Sequence, residues 1–581
     1  MKKIILFFSL VLSYTLTHSQ TTFNWAKQVG GVGNDKAKTI VVDALGNVYN
    51  AGGFSGNVDM DPGLGTFTLT SLGAEDIFIS KLDAAGNFIW AKQIGGSQQN
   101  YISSIVLDAA NNIYATGYFN GTVDFDPGAG ISNLSSNGNS DAFILKLDAN
   151  GNFLWANSTG GTGNDYGIDI TTDPSGNIYT CGSYTGTVDF DPSAATLNQS
   201  SNGMQDVFIS KSDGNGLLTW AKSIGGSSFD LSRSIAVDVT GNVVVTGYHA
   251  GVSDLDPGPA SYTLSSLGYD AFILKLDQAG NFIFAKQFDN IYSSSGNMSS
   301  ALTLDASGNI YTAGNFSGAA DMDPGAGNFI LSCSGGLSVG ASNTFISKLD
   351  ANGNFVWAKK ITGTNASYDL ALDPLNNVFI VGYFTGTCDF DPAVAVYNLS
   401  AVGSSSTVQG NSDIYILKLD STGNFIWAYA MGGSSEDAAT AVTVDANGTI
   451  YSCGYFDGNA ADFDPGINVF PFSTIGNKDI FIQKMAQTTL GIKEFTFLNK
   501  ITVFPNPTKE NLTIELNEVA FDKLTGEINI EIYNALGQKL SQEILIAKRS
   551  GINTASLTKG SYVVRIINNE TVIATQKIIK E

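Results

Sequence analysis

The sequence predicts an all-β chain in which seven repeats of four short antiparallel strands precede a small separate β-domain. Three observations carry this. The tetrapeptide D-x-D-P occurs seven times, at intervals of 65–73 residues. Its first acid is Asp59, Asp124, Asp189, Asp254, Asp321, Asp389 and Asp462, and its second is Asp61, Asp126, Asp191, Asp256, Asp323, Asp391 and Asp464. Self-similarity at a fixed period is the mark of a repeat architecture. An aromatic residue followed by Ala keeps the same beat, at Trp25, Trp90, Trp155, Trp220, Phe284, Trp357 and Trp427. Finally, 65 glycines and only 14% charged residues suit short strands joined by tight turns.

Within the first repeat, Thr39–Asp43, Val48–Phe54, Ile77–Leu82 and Phe88–Ile94 read as strands, rich in β-branched and aromatic residues. The segments Asp43-Ala44-Leu45-Gly46-Asn47 and Asp83-Ala84-Ala85-Gly86-Asn87 fit hairpins with a type I turn followed by a left-handed glycine. Four antiparallel strands repeated seven times predict a seven-bladed β-propeller over residues 20–485, with extra length in each repeat between the second and third strands. Phe23–Val29 is a fourth strand without a third before it, and Ile480–Met485 a third without a fourth after it. The N-terminal strand is therefore expected to complete the last blade and close the ring, removing sheet edges that invite aggregation.

Before the repeats, Lys2 and Lys3, the apolar run Ile4–Leu16 and a small-residue stretch ahead of Gln20 read as a signal peptide over residues 1–19. No later stretch reads as a transmembrane segment. After the repeats, residues 486–499 read as a linker, and residues 500–581 hold about seven short strands that suit an immunoglobulin-like β-sandwich. The net charge of −23 argues against a nucleic-acid partner, which needs clustered Lys and Arg. Four cysteines are too few for a disulfide framework. Cys181 and Cys453 stand where Ala51, Thr116, Thr246, Ala313 and Val381 stand in other repeats, so a small buried residue is expected there; Cys333 with Cys388 is the one pairing to consider.

The G-N-x-Y segments, such as Gly46-Asn47-Val48-Tyr49 and Gly176-Asn177-Ile178-Tyr179, resemble the bacterial β-propeller repeat of secreted proteins over about residues 22–485. That resemblance implies the fold and no single activity. The C-terminal pieces Val503-Phe504-Pro505-Asn506-Pro507, Ile532 to Gly537, Leu557 to Tyr562 and Lys577 to Lys580 resemble the sorting domain of type IX secretion in Bacteroidota. Pro505, Asn506, Pro507, Gly537, Gly560 and Tyr562 carry the match. It implies the type IX machinery as a partner, and release or surface attachment after passage through the outer membrane.

Catalytic chemistry is sparse. Beyond the leader the chain has one histidine, His249, in a column otherwise filled by Phe or Tyr, so a packing role is expected. A Ser–His–Asp triad or histidine zinc site does not fit. The paired aspartates of the inserts have two readings. Residues two apart on a strand face one way, so each pair could hold calcium; or the second Asp caps the turn that follows it. The recurring Trp should pack against a neighbouring blade. Repeat symmetry breaks in the loops Asn290–Ser300, Gly325–Asn343 and Ala393–Ser412, which makes them candidates for a unique site. These features favour a non-enzymatic extracellular binding or adhesion protein for a glycan or protein ligand. The alternatives are a secreted carbohydrate-active enzyme using carboxylates, or a structural cell-surface component.

Overall fold

The computed structural model describes residues 20–291, 296–333, 342–403, 411–466, 468–488, 501–516, 528–534, 539–545, 547–568 and 571–581. The expected signal peptide, and most of the expected linker, lie outside them. The described residues are all-β with antiparallel sheets. The chain divides into two compact units, 21–487 and, besides the N-terminus, 488–581.

The larger unit repeats one sheet seven times. The first consists of Lys36–Val42, Val48–Phe54, Asp76–Leu82 and Phe88–Gly96, each strand paired with the next. Five more follow over 100–161, 166–226, 230–290, 297–360 and 362–431. The last contains Ala438–Val444, Ile450–Asp457, Lys478–Thr488 and the N-terminal strand Gln20–Gly31, in that order. Each first strand neighbours the first strands of the sheets before and after it, and that of the last sheet neighbours that of the first. One core cluster joins Val29, Ala37, Ile40 and Phe78 to Tyr451, Cys453 and Ile482, so the last sheet packs on the first.

Local chemistry explains the hairpins. Asp43 accepts the N–H groups of Leu45 and Asn47 and the amide of Asn47, while Gly46 takes a φ of 79°. Tyr49 donates to the same carboxylate. Lys81 lies 4.6 Å from the centre of the Tyr49 ring and donates to Ala149 O of the next sheet. The aromatic column works between sheets, as expected: Trp25 donates to Ala84 O, Trp220 to Gln278 O and Trp357 to Ser421 O. A side chain at Gly86 would meet Lys27 at 2.6 Å and the Trp25 ring at 3.1 Å, so this turn requires Gly for close approach as well as for φ.

Strand ends differ from the sequence reading. The first strand begins at Lys36 rather than Thr39, because a bulge between Ala37 and Thr39 interrupts the alternation that marks it. The strand read as Ile480–Met485 spans Lys478–Thr488, so residues 486–488 belong to a sheet and not to a linker. The column of Ala51, Thr116, Cys181, Thr246, Ala313, Val381 and Cys453 is fully buried. Cys388 is a buried free thiol, and Cys333 donates to Asn343.

In the C-terminal unit, Ile501–Phe504, Asn511–Leu516 and Arg549–Asn553 form one sheet. Ile528–Tyr533, Lys539–Ile544, Gly560–Asn568 and Thr571–Lys580 form the other. Leu512, Ile514 and Ile552 of the first share a core with Ile530, Val564 and Ile578 of the second.

Candidate functional site

The first strand of every sheet carries the same bulge, which leaves one residue unpaired: Lys38, Ser103, Ile168, Arg233, Ser300, Tyr368 and Thr440. A bulge re-aims a side chain. All seven residues line one cavity of about 590 Å³, and so do the residues that follow them: Thr39, Ser104, Asp169, Ser234, Ala301, Asp369 and Ala441. The volume lies within the range of about 300–1,000 Å³ typical of small-molecule sites. Around this cavity the repeats differ chemically, although their hairpins and cores are nearly alike.

One side of the cavity is aromatic. Tyr101 stacks on Tyr118 at 5.2 Å, and Tyr118 meets Tyr166 edge-on at 4.8 Å. Tyr368 is exposed and lies 5.7 Å from Tyr383. Arg233 lies over Tyr248, 5.3 Å from the ring centre, and donates to its hydroxyl. Burial lowers the Lys38 ammonium below its ordinary range, and the Arg233 charge adds to this. Burial raises the Asp169 carboxyl and pushes Asp369 up to about 7, against hydrogen bonds that favour their ionised forms. Both acids hold the wall together: Asp169 accepts from the N–H groups of Ile170 and Ile235 and from Ser234, and Asp369 from the N–H groups of Leu370 and Val442. Ser183 and Ser367 also line the cavity and are fully buried, and their hydroxyls have no partner among the described residues.

The aspartates of the inserts have another geometry. In all seven, the first Asp accepts the N–H of the second at 3.0–3.1 Å. The same oxygen accepts the N–H eight residues further on at 2.7–2.8 Å. The second Asp accepts the N–H two residues beyond it at 2.8–2.9 Å. The residue between the acids is always apolar and buried: Met60, Phe125, Phe190, Leu255, Met322, Phe390 and Phe463. Six of the seven first Asp residues also stand opposite the end of the preceding sheet, as Gly30↔Asp59, Gly95↔Asp124 and Gly160↔Asp189 illustrate, while Asp389 faces Thr362. The insert thus anchors itself in the core and bridges two sheets. Among the described residues, no three His, Cys, Asp or Glu side chains gather as a metal site. Of the three lengthened loops, residues 292–295, 334–341 and 404–410 lie outside the described residues.

A second set of acids escaped the sequence reading. Each contact between adjacent sheets holds a buried pair, one residue near the start of a third strand and one at the start of the next sheet. Four pairs are Asp with Asp: Asp141/Asp165, Asp206/Asp230, Asp413/Asp437 and Asp479/Asp35. The second member accepts N–H groups, as Asp165 does from Gly161 and Thr185. Oδ1 of Asp141, Asp206, Asp413 and Asp479 has no partner among the described residues, which suits a carboxylic proton at that atom. Burial, with the partner's charge adding, pushes Asp141 and Asp206 up to about 6 and Asp413 up to about 7. At other contacts Asn replaces an acid, and Asn100 donates to Asp76.

His249 is fully buried, hydrogen-bonded to Ser253 and Gln287, and burial lowers its pKa. In the C-terminal unit, Asn506, between Pro505 and Pro507, donates to Lys577 O and accepts from Ile579 N–H, tying the motif to the last strand. Tyr562 is buried and donates to Thr558 O, Gly560 opens its strand, and Gly537 lies outside the described residues.

Residues 502–581 match the secretion system C-terminal sorting domain. This marks the chain for export by type IX secretion to the cell surface or the medium, and no helix among the described residues is long and apolar enough to cross a membrane. An uncharacterized WD repeat-containing protein of Acanthamoeba polyphaga mimivirus is 24% identical over 512 residues, covering 74% of this chain and 36% of that protein. Regulatory protein FlaEY of Caulobacter vibrioides is 24% identical over 430 residues, covering 72% and 42%. The chain thus spans well under half the length of these curated relatives. Among solved structures, a protein of unknown function from Bacteroides caccae is 11% identical with a TM-score of 0.26, covering 58% of this chain and 93% of that one. PorZ, a surface component of the type IX secretion system of Porphyromonas gingivalis, is 11% identical with a TM-score of 0.18, covering 96% and 100%.

Proposed function

We propose that residues 20–485 form a seven-bladed β-propeller that serves outside the cell as a non-enzymatic binding or adhesion module, with a glycan seated in the axial cavity. The seven four-stranded sheets, the cyclic order of their first strands and the N-terminal strand in the last sheet support the propeller. WD repeats, named in one relative, are propeller repeats. The two sheets of residues 501–581 over one core fit an immunoglobulin-like sandwich.

One observation carries the binding reading. Seven bulges aim chemically different side chains into a single cavity, on a scaffold whose repeats are otherwise alike. Tyrosine faces suit the apolar face of a pyranose, and Ser, Thr and charged groups suit its hydroxyls. The test is a glycan panel against the secreted protein, followed by titration calorimetry. Tyr101→Ala and Tyr368→Ala should weaken binding about tenfold each at unchanged melting temperature. Binding untouched by both changes sinks the axial site.

A carbohydrate-active enzyme is the second reading. It is favoured by the Asp369 carboxyl near 7 in the same cavity as Asp169, since a raised carboxyl suits a general acid. Release of reducing sugar, abolished by Asp369→Asn, would establish it. For the inserts we favour the turn role over calcium, because each first Asp already accepts two backbone N–H groups through one oxygen.

A further inference from the structure

We infer that the cavity selects a saccharide bearing a carboxylate, such as a uronic-acid oligomer, and that Arg233 with Lys38 clamps the acid group. This rests on the axial glycan site proposed above and adds its charge.

Arg233 is the only arginine between residues 1 and 487 of a chain carrying 53 acidic and 30 basic side chains. A bulge places it at the cavity, where the residue is exposed, lies 5.3 Å from the centre of the Tyr248 ring and donates to the Tyr248 hydroxyl. Guanidinium is the group best shaped for two parallel hydrogen bonds to a carboxylate. Lys38 comes from a sheet three places away in the chain and lines the same cavity, close enough for the two positive charges to oppose each other. Asp169 and Asp369 line the same cavity and offset part of this repulsion, but neither reaches ion-pair distance of Arg233 or Lys38. Neither cation has a carboxylate within ion-pair distance among the described residues. The acids nearby are committed elsewhere: the oxygens of Asp169 and Asp369 accept from backbone N–H groups of the cavity wall.

The polar complement is also present. Ser183 and Ser367 are fully buried in the wall, and their hydroxyls lack partners among the described residues. Ser103, Ser300 and Thr440, at the unpaired strand positions, also line the cavity and suit sugar hydroxyls. A molecule this acidic repels anions over most of its surface, so two converging cations mark the place where an anion can be held.

The experiment is calorimetric titration of the secreted protein with trimers of galacturonate, glucuronate and mannuronate, with their methyl esters, and with neutral trisaccharides. At least one uronate trimer should bind, and its ester should bind roughly 10- to 100-fold more weakly. Arg233→Gln should cause a similar loss, Arg233→Lys a smaller one, and rising salt should weaken the acid form alone. Arg233 is exposed, so melting temperature should hold; Lys38→Met provides a second, independent removal of charge. Neutral sugars or esters binding as well as the acids, with Arg233→Gln indifferent, would overturn the charge selection and leave the glycan site standing. No binding by any saccharide, neutral or acidic, would overturn both.

Discussion

Replacing Asp141 by Asn should stabilise the protein at pH 8 and do so less, or not at all, at pH 5. Asp141 and Asp165 are buried together where the second and third sheets meet, and Asp165 already accepts two N–H groups while Oδ1 of Asp141 has no partner. Burial and the Asp165 charge raise the Asp141 carboxyl from an ordinary 3.8 to about 6. The folded protein therefore holds this proton more tightly than the unfolded chain. The stabilisation is complete below about pH 4 and is lost as pH rises through about 6. A carboxyl moved that far corresponds to at most about 3 kcal/mol. Asn supplies an N–H donor to Asp165 at every pH, as Asn100 does for Asp76. For a domain this large the gain at pH 8 should be about 1–3 °C in melting temperature. Calorimetric melts of wild type and variant from pH 4.5 to 8.5 measure it, and the difference between them should grow with pH. A variant melting lower by the same amount at all pH values would refute the shared proton and leave Asp141 as a packing residue only.

Three further outcomes follow from the same structure. Deleting residues 20–31 should lower the melting temperature sharply, because this strand completes the last sheet and carries the buried Ala26 and Val29; an unchanged melt would count against ring closure. Gly86→Ala should cost about 1–3 kcal/mol, from the left-handed backbone and a Cβ only 2.6 Å from Lys27, as read by urea denaturation. Calorimetric titration of calcium should give no saturable heat at millimolar concentration, while Asp59→Ala should lower stability by about 1–2 kcal/mol through two lost N–H acceptors; several binding events lost on substituting the insert aspartates would restore the calcium reading.

Much of this molecule is local and so legible in the chain. Asp43, Gly46 and Asn47 make their turn among themselves, and the D-x-D-P inserts are held by N–H groups within eight residues. The unpaired strands at the two ends point to one another because each lacks a complementary partner. Pro505-Asn506-Pro507 and Tyr562 mark the sorting domain by short motifs. The aromatic column gave its role away by recurrence alone, and the buried apolar residue inside D-x-D was a signal of the same kind that went unread. Loop length is visible in sequence and singles out the irregular loops, whereas the cavity has no such mark.

The cavity itself and the acid pairs were decided by the tertiary structure. Lys38 looks like a surface residue until an unpaired position in the strand turns it inward, and a one-residue offset leaves no mark in composition or period. Arg233 and Lys38 are nearly two hundred residues apart, and Asp35 and Asp479 more than four hundred. Hydrogen bonds that set a turn act between neighbours in the chain, so the sequence by itself determines turns, strands, repeat number and export tail. Which side chains share a cavity or a proton depends on the last sheet packing against the first, and that long-range arrangement alone brings distant residues within electrostatic reach.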